Sequence, residues 1–256
     1  MKRWHIISVL LFSYFFFLIA NIPASRVLNY LHKSGSLPIT VTGIEGSIWN
    51  GHADIFLIPG QPKLENINWS INPFALLAAR LSANVEAELH KHPINGHFSQ
   101  HLIGGAMYAR DVTTKLPAKT LQQLLDLPFG EPGGDIEIFL DHVNWQKDMM
   151  PLIEARIFWQ HAKLTLGQTV DMGQVNITVL PDDANQTHVT LSNTSGDLSI
   201  TGEAILGTDH NYTLSITMKP RDATGEVAQS LNMFAQRQAD GNYKFKQNGN
   251  LQQLGF

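Results

Sequence analysis

The chain has 256 residues, a formal net charge of −4 and only 16% charged residues, a length that can bury the core of one large domain or two small ones. This weakly acidic balance argues against nucleic acid, which rewards clustered Lys and Arg. There is no cysteine, so disulfides, thiolate catalysis and zinc–thiolate sites are excluded.

Lys2 and Arg3 precede an apolar run from Ile6 to Ala20, broken by Ser8 and Ser13. With its flanks, about 19 residues at a rise of ~1.5 Å span roughly 28 Å, just enough to cross a hydrocarbon core. A cleaved export signal is the competing reading. The run is long for such a signal, and no Ala-x-Ala closes it. Basic residues stay on the cytoplasmic side. The expectation is therefore a cytoplasmic tail over 1–4, a single transmembrane helix over 5–22, a linker over 23–38 and a periplasmic β-rich domain over 39–256.

Val41 to Gly51 reads V-T-G-I-E-G-S-I-W-N-G, an aromatic hairpin bracketed by glycines. A strand-like Asp54 to Ile58 follows. Leu81 to Leu89 alternates cleanly, with Glu86 and Glu88 on the wet face. The same period of two recurs in Val175–Val179, Leu198–Leu206 and Tyr212–Met218, and Asp135–Val143 and Glu154–Trp159 also read as strands. Turn signals stand at Gly104-Gly105, Pro132-Gly133-Gly134, Pro181-Asp182-Asp183, Asn193 to Gly196 and Asp240-Gly241. Strands with one polar face imply an antiparallel sheet. Glycines near strand edges permit bulges and curvature.

Three short helices interrupt the strands. Asn72-Pro73 supplies an N-cap and a first-turn proline for Phe74 to Arg80. Pro117 starts a second, with Leu121, Leu124 and Leu125 on one face, and Thr224 a third, with Val227, Leu231 and Phe234 in one stripe. Ile67-Asn68-Trp69 recurs as Val143-Asn144-Trp145, with Pro73 and Pro151 after each. This echo allows two related halves with a break near 115–132. The fold class is mainly β with a few short helices: one membrane helix, then a curved, largely antiparallel sheet.

Little in the chain carries chemistry. His90, His92, His97 and His101 crowd one hairpin-like segment and invite a metal, but they read as exposed strand histidines on the polar face. There is no Gly-x-Ser-x-Gly elbow, no phosphate loop and no His-Glu-x-x-His helix. Glu86, Glu88, Asp182 and Asp183 read as solubilising charges. Trp49, Trp69, Trp145 and Trp159 are candidate ligand platforms, with core anchoring the preferred reading for Trp69 and Trp145. Trp49, Trp69 and Pro73 are read as fold-defining. The expectation is a non-enzyme with no catalytic, cofactor or metal residues.

With these features in place, the chain resembles the type II secretion system protein N family. The resemblance rests on the N-terminal apolar segment, Gly43-Ile-Glu-Gly46-Ser-Ile-Trp49-Asn-Gly51 and Trp69-Ser-Ile-Asn-Pro73-Phe-Ala-Leu-Leu-Ala-Ala-Arg80-Leu. It continues through Leu116-Pro117, Leu127-Pro128-Phe129-Gly130, Gly196-Asp-Leu, Gly202, Lys219-Pro220-Arg221 and Asp240-Gly241-Asn-Tyr243. It implies a single-pass inner-membrane protein of Gram-negative bacteria, part of the machinery that exports folded proteins across the outer membrane. The implied partners are other secretion components, the inner-membrane platform or the secretin, and the lipid bilayer. A likeness to AsmA-like proteins implies the alternative, a periplasmic β-groove that binds or transports lipid.

Overall fold

The computed structural model describes residues 3–33, 39–59, 62–124, 130–147, 149–166, 168–232 and 235–251. The chain divides into two compact units, Met1–Leu102 and Ile103–Phe256. The division falls ahead of the break near 115–132 that the internal echo allows.

The first unit opens with helix α1 (Arg3–Ala20) and helix α2 (Ala24–Lys33). Strands β1 (Thr40–Thr42), β2 (Glu45–Gly46), β3 (Asn50–Leu57) and β4 (Leu64–Ile71) follow, then a 3₁₀ turn (Pro73–Ala78) and strands β5 (Arg80–Leu89) and β6 (His92–His101). The sheet order is β3-β4-β5-β6, all antiparallel, with β1 and β2 laid one after the other along the outer edge of β3. Splitting that edge into two short strands leaves a poor template for unwanted pairing. The alternation read in Leu81–Leu89 holds: Ala87 and Leu89 are buried and Glu86 is exposed.

A helix forms at the N-terminus, and among the described residues none is long and apolar enough to cross a membrane. α1 has 18 residues, and Arg3, Trp4 and His5 occupy its first turn. The stretch from Ile6 to Ala20 is then roughly 22 Å long, against a hydrocarbon core of about 30 Å. Asn21 ends the helix by turning its backbone and side-chain N–H groups onto the Phe17 carbonyl, at 3.2 and 2.8 Å. Much of the expected linker over 23–38 is helical, as α2.

The second unit holds β7 (Met107–Pro117), α3 (Ala118–Leu124), β8 (Glu131–Trp145), β9 (Leu152–Leu166), β10 (Gln168–Pro181), β11 (Thr187–Thr194), β12 (Leu198–Leu206), β13 (Asn211–Pro220), α4 (Glu226–Leu231), β14 (Gln236–Arg237) and β15 (Tyr243–Asn250). Its order is β7-β8-β9-β10-β11-β12-β13-β15-β14, antiparallel throughout. From β8 to β13 each strand pairs with its sequence neighbour, an arrangement cheap in loop entropy, while α3 joins β7 to β8 and α4 with β14 separates β13 from β15.

Pro132-Gly133-Gly134, expected as a turn, lies inside β8. The register slips between Gly133 and Asp135, and Gly134 sits at φ +94°. A Cβ at 134 would strike the Gln160 carbonyl, so only glycine fits this bulge. Pro132 lies beyond the end of the β7 pairing, which stops at Asp135, so β8 is an edge on that side, where proline is tolerated.

The short helices also differ in detail. Phe74 to Arg80 is not an α-helix: the 3₁₀ turn stops at Ala78, Ala79 adopts φ +50°, and Arg80 already belongs to β5. Pro117 closes β7, and α3 begins one residue later. Thr224 serves the Asp222 turn, leaving Gly225 as the cap of α4. Leu125 and Phe234 lie outside the described residues. α4 packs Ala228 and Leu231 on Leu198, Met218 and Tyr243, while Ala162, Met172 and Val175 form a second buried cluster under Trp159.

Candidate functional site

In the first unit, the aromatic hairpin and the Asn-Pro turn converge on the exit of α1. Ser47 makes the tight turn between β2 and β3: its hydroxyl accepts from the Trp49 and Asn50 amides at 3.2 and 3.1 Å. The turn aims Trp49 back at the helix. Its indole Nε1–H donates to the Ile19 carbonyl at 2.8 Å, satisfying one of the carbonyls that a helix end leaves unpaired. The Ile48 amide bonds the Ile22 carbonyl at 3.0 Å, and Pro23 bridges Ser47.

Trp69 closes the clamp. Its indole donates to the Ile48 carbonyl at 3.1 Å, and its ring lies so close over Gly51 that any Cβ there would clash with it. The Ile71 amide then bonds the Trp49 carbonyl at 2.6 Å. Asn72 caps the following 3₁₀ turn by accepting from the Phe74 amide at 3.0 Å. Trp49, Trp69 and Pro73 thus lie in one junction that fastens α1 to the sheet.

The four histidines spread along one hairpin, with His92 beside His90 at its turn, His97 midway and His101 at the far end. His90 and Lys91, both with positive φ, form the turn between β5 and β6, and His101 faces Arg80 at the far end of that hairpin. His97 bonds Ser82 at 3.0 Å and Asn84 at 2.8 Å, spending both ring nitrogens on its own hairpin. Among the described residues, no three His, Asp or Glu side chains converge as a metal site. Trp145, expected as a core anchor, is 43% exposed. Trp159 does anchor, donating to the Gly133 carbonyl at 2.8 Å.

Charged groups sit on turns and wet faces. Asp182 lies below the usual carboxylate range, chiefly because the Gln186 amide donates to it, with Ala184 and His188 also bonding it. Arg156 grips Asp141 with two bonds, at 3.0 and 2.8 Å, and lowers its pKa. Lys115 is raised by Glu137, 2.6 Å away.

The second unit presents something different. Cross-strand partners carry one apolar row through Ile138, Ile157, Ile177, Leu191, Ile216 and Phe245, passing Gly202. A parallel row runs Leu140, Ala155, Val179, Val189, Ala204 and Leu214. Most of these side chains are half-buried. α3 packs on β7 and β8, and α4 covers this face at its β12–β13–β15 end. The middle stays accessible. The opposite face is wet, with a shallow hollow of about 410 Å³ edged by Glu203, Lys244 and Lys246. Sequence reading found the alternation of single strands but not this alignment, which depends on register.

Residues 38–246 match the family model described as type II secretion system (T2SS), protein N. The chain is 25% identical over 238 residues to the type II secretion system protein N of Vibrio cholerae serotype O1, an alignment covering 91% of this chain and 92% of that protein. It is 22% identical over 260 residues to the type II secretion system protein N of Aeromonas hydrophila, covering 98% of this chain and 100% of that one. No solved structure matches.

Proposed function

The chain belongs to the type II secretion system protein N family, and we propose that it serves there as an inner-membrane component that binds other molecules in the periplasm without transforming them. The observation that carries this reading is α1. Leu10, Leu11, Phe17 and Leu18 on it are each at least 47% exposed, an apolar surface that the fold itself leaves uncovered. In a bilayer that surface is stable. The shortfall in length is met by local thinning of the bilayer. The clamp at Trp49 then holds the sheet at the membrane.

Docking onto other secretion components uses strand edges. β14 pairs only with Tyr243 and Lys244, and among the described strands none pairs the outer side of β15 from Phe245 to Gly249. Such an edge accepts an added strand. Photo-crosslinkers at Gln247 in intact cells are expected to trap a component of the secretion platform or the secretin. Crosslinks confined to proteins outside that machinery would refute this reading.

A second reading has its own support. The accessible apolar rows of the β7–β15 sheet suit acyl chains, as in a lipid-carrying groove. Native mass spectrometry of the detergent-extracted chain would then show phospholipid retained in the wild type and lost in Ile177→Asp. Equal retention in both would dismiss it.

A further inference from the structure

We propose that the 3₁₀ turn Pro73–Ala78 is a second membrane contact, seated at the headgroup–acyl boundary of the bilayer that holds α1. This inference rests on the reading of α1 as inserted.

The topology of the first unit puts the two elements at the same end of its sheet. Asn50 at the start of β3 faces Ser70 near the end of β4, Ile71 faces Ala83, and Arg80 at the start of β5 faces His101 at the end of β6. Trp49, the residue before β3, holds the last turn of α1. Neighbouring strands lie about 4.8 Å apart, so the turn between β4 and β5 stands about two strand spacings, roughly 10 Å, from the start of β3, where Trp49 reaches the helix exit. A helix leaving the bilayer at Ala20 brings this end of the sheet to the lipid surface.

What the turn shows there is apolar and rigid. Phe74 is 74% exposed and Leu77 is 88% exposed, with Leu102 beside them at 59%. Ala75 is buried and roots the turn, Asn72 caps its start, and the Ala79 amide closes it on the Leu76 carbonyl at 2.9 Å. The Leu102 amide bonds the Ala79 carbonyl at 2.8 Å, joining the end of β6 to the same tip. The backbone of the turn is already fixed before binding, and large apolar side chains held out in this way mark a contact surface.

The charge pattern selects the partner. Between Glu65 and Glu86 the chain has no Asp or Glu, and its one charged residue there is Arg80, exposed and directly after the turn. An apolar wedge flanked by a cation suits anionic phospholipid, with Arg80 in the phosphate layer and Phe74 and Leu77 beneath it. Tyr30 of α2, 74% exposed near the same exit, fits the interfacial aromatic belt.

The chain has no cysteine, so single substitutions can carry an environment-sensitive fluorophore in the full-length protein. Leu77→Cys, Leu11→Cys and Lys91→Cys are labelled and reconstituted in vesicles of phosphatidylethanolamine and phosphatidylglycerol. Lys91 lies at the opposite end of the β5–β6 hairpin, about 30 Å from the tip. The label at 11 is expected to be quenched by lipids spin-labelled deep in the acyl chain. The label at 77 should be quenched by lipids spin-labelled near the headgroup, and the label at 91 only by aqueous iodide. Iodide quenching at 77 equal to that at 91, with 11 in lipid, overturns the inference and leaves the anchor standing. Protection at 77 from both quenchers means a protein covers the turn and also overturns it. Iodide access at 11 removes the anchor and this inference together.

Discussion

Asn193 is the position where a single side chain holds most in the second unit. Its Nδ2 donates to the Met172 and Leu198 carbonyls, both at 2.7 Å, and to Ser195 at 3.2 Å, while its Oδ1 accepts from the Ile200 amide at 2.7 Å. One amide thereby ties the bulged part of β10 to the β11–β12 hairpin. Asn193→Ala removes three short bonds, each worth about 1 kcal/mol net, and leaves the partly buried Met172 and Leu198 carbonyls and the Ile200 amide without a mate. The expected loss is about 3 kcal/mol. For a unit of this size, each kcal/mol moves the midpoint by about 2–4 °C, so melting should fall by roughly 6–12 °C. Circular dichroism of the detergent-solubilised chain measures it. A shift below about 2 °C would mean that water replaces the amide without cost, and the reasoning would be wrong.

Trp49→Phe keeps an aromatic ring but leaves the Ile19 carbonyl only the longer bond from the Ile22 amide at 3.4 Å, loosening the clamp by about 1.4 kcal/mol; hydrogen exchange at the Ile48 amide should quicken about tenfold. Tyr243 is 1% exposed and its hydroxyl meets no partner among the described residues. Tyr243→Phe should therefore leave the melting temperature unchanged or raise it, and a fall of several degrees would reveal a bonded hydroxyl. His52 gives a pH effect. Asn68 first, then Asp54, accept from its ring, so the doubly protonated form is favoured and its pKa lies above 6.5. Because that value is raised, its contribution to stability is complete below the unfolded pKa and disappears as pH rises through the folded one. NMR titration should place His52 above 6.5 in the wild type and lower in Asn68→Ala.

What could be read from residue order was mostly local. The alternation of Leu81–Leu89 and Tyr212–Met218 is a strand signal that neighbours only reinforce, and both segments are strands in one-sided sheets. The cap of Asn72 on Phe74 follows from the Asn-Pro pair itself. Other signals misled because they have two physical uses. Pro132-Gly133-Gly134 has the composition of a turn, yet it makes a bulge, since β8 and β9 are long enough to continue past it. Trp145 repeats the local context of Trp69, but among the described residues no carbonyl bond comparable to that of Trp69 with Ile48 holds it, and 43% of it stays exposed.

The candidate surfaces divide in the same way. The apolar N-terminal run, the missing cysteines and the family motifs follow directly from the sequence, and with them the membership in a secretion family. That Trp49 caps α1, that Asn193 spans three strands, and that Ile138, Ile157, Ile177 and Leu191 fall into one row were decided by tertiary structure. Period-two patterning assigns each side chain a face but says nothing about its neighbour on the next strand. A slip of two residues preserves every face and realigns every row, so register, turn length and bulges had to be settled in three dimensions.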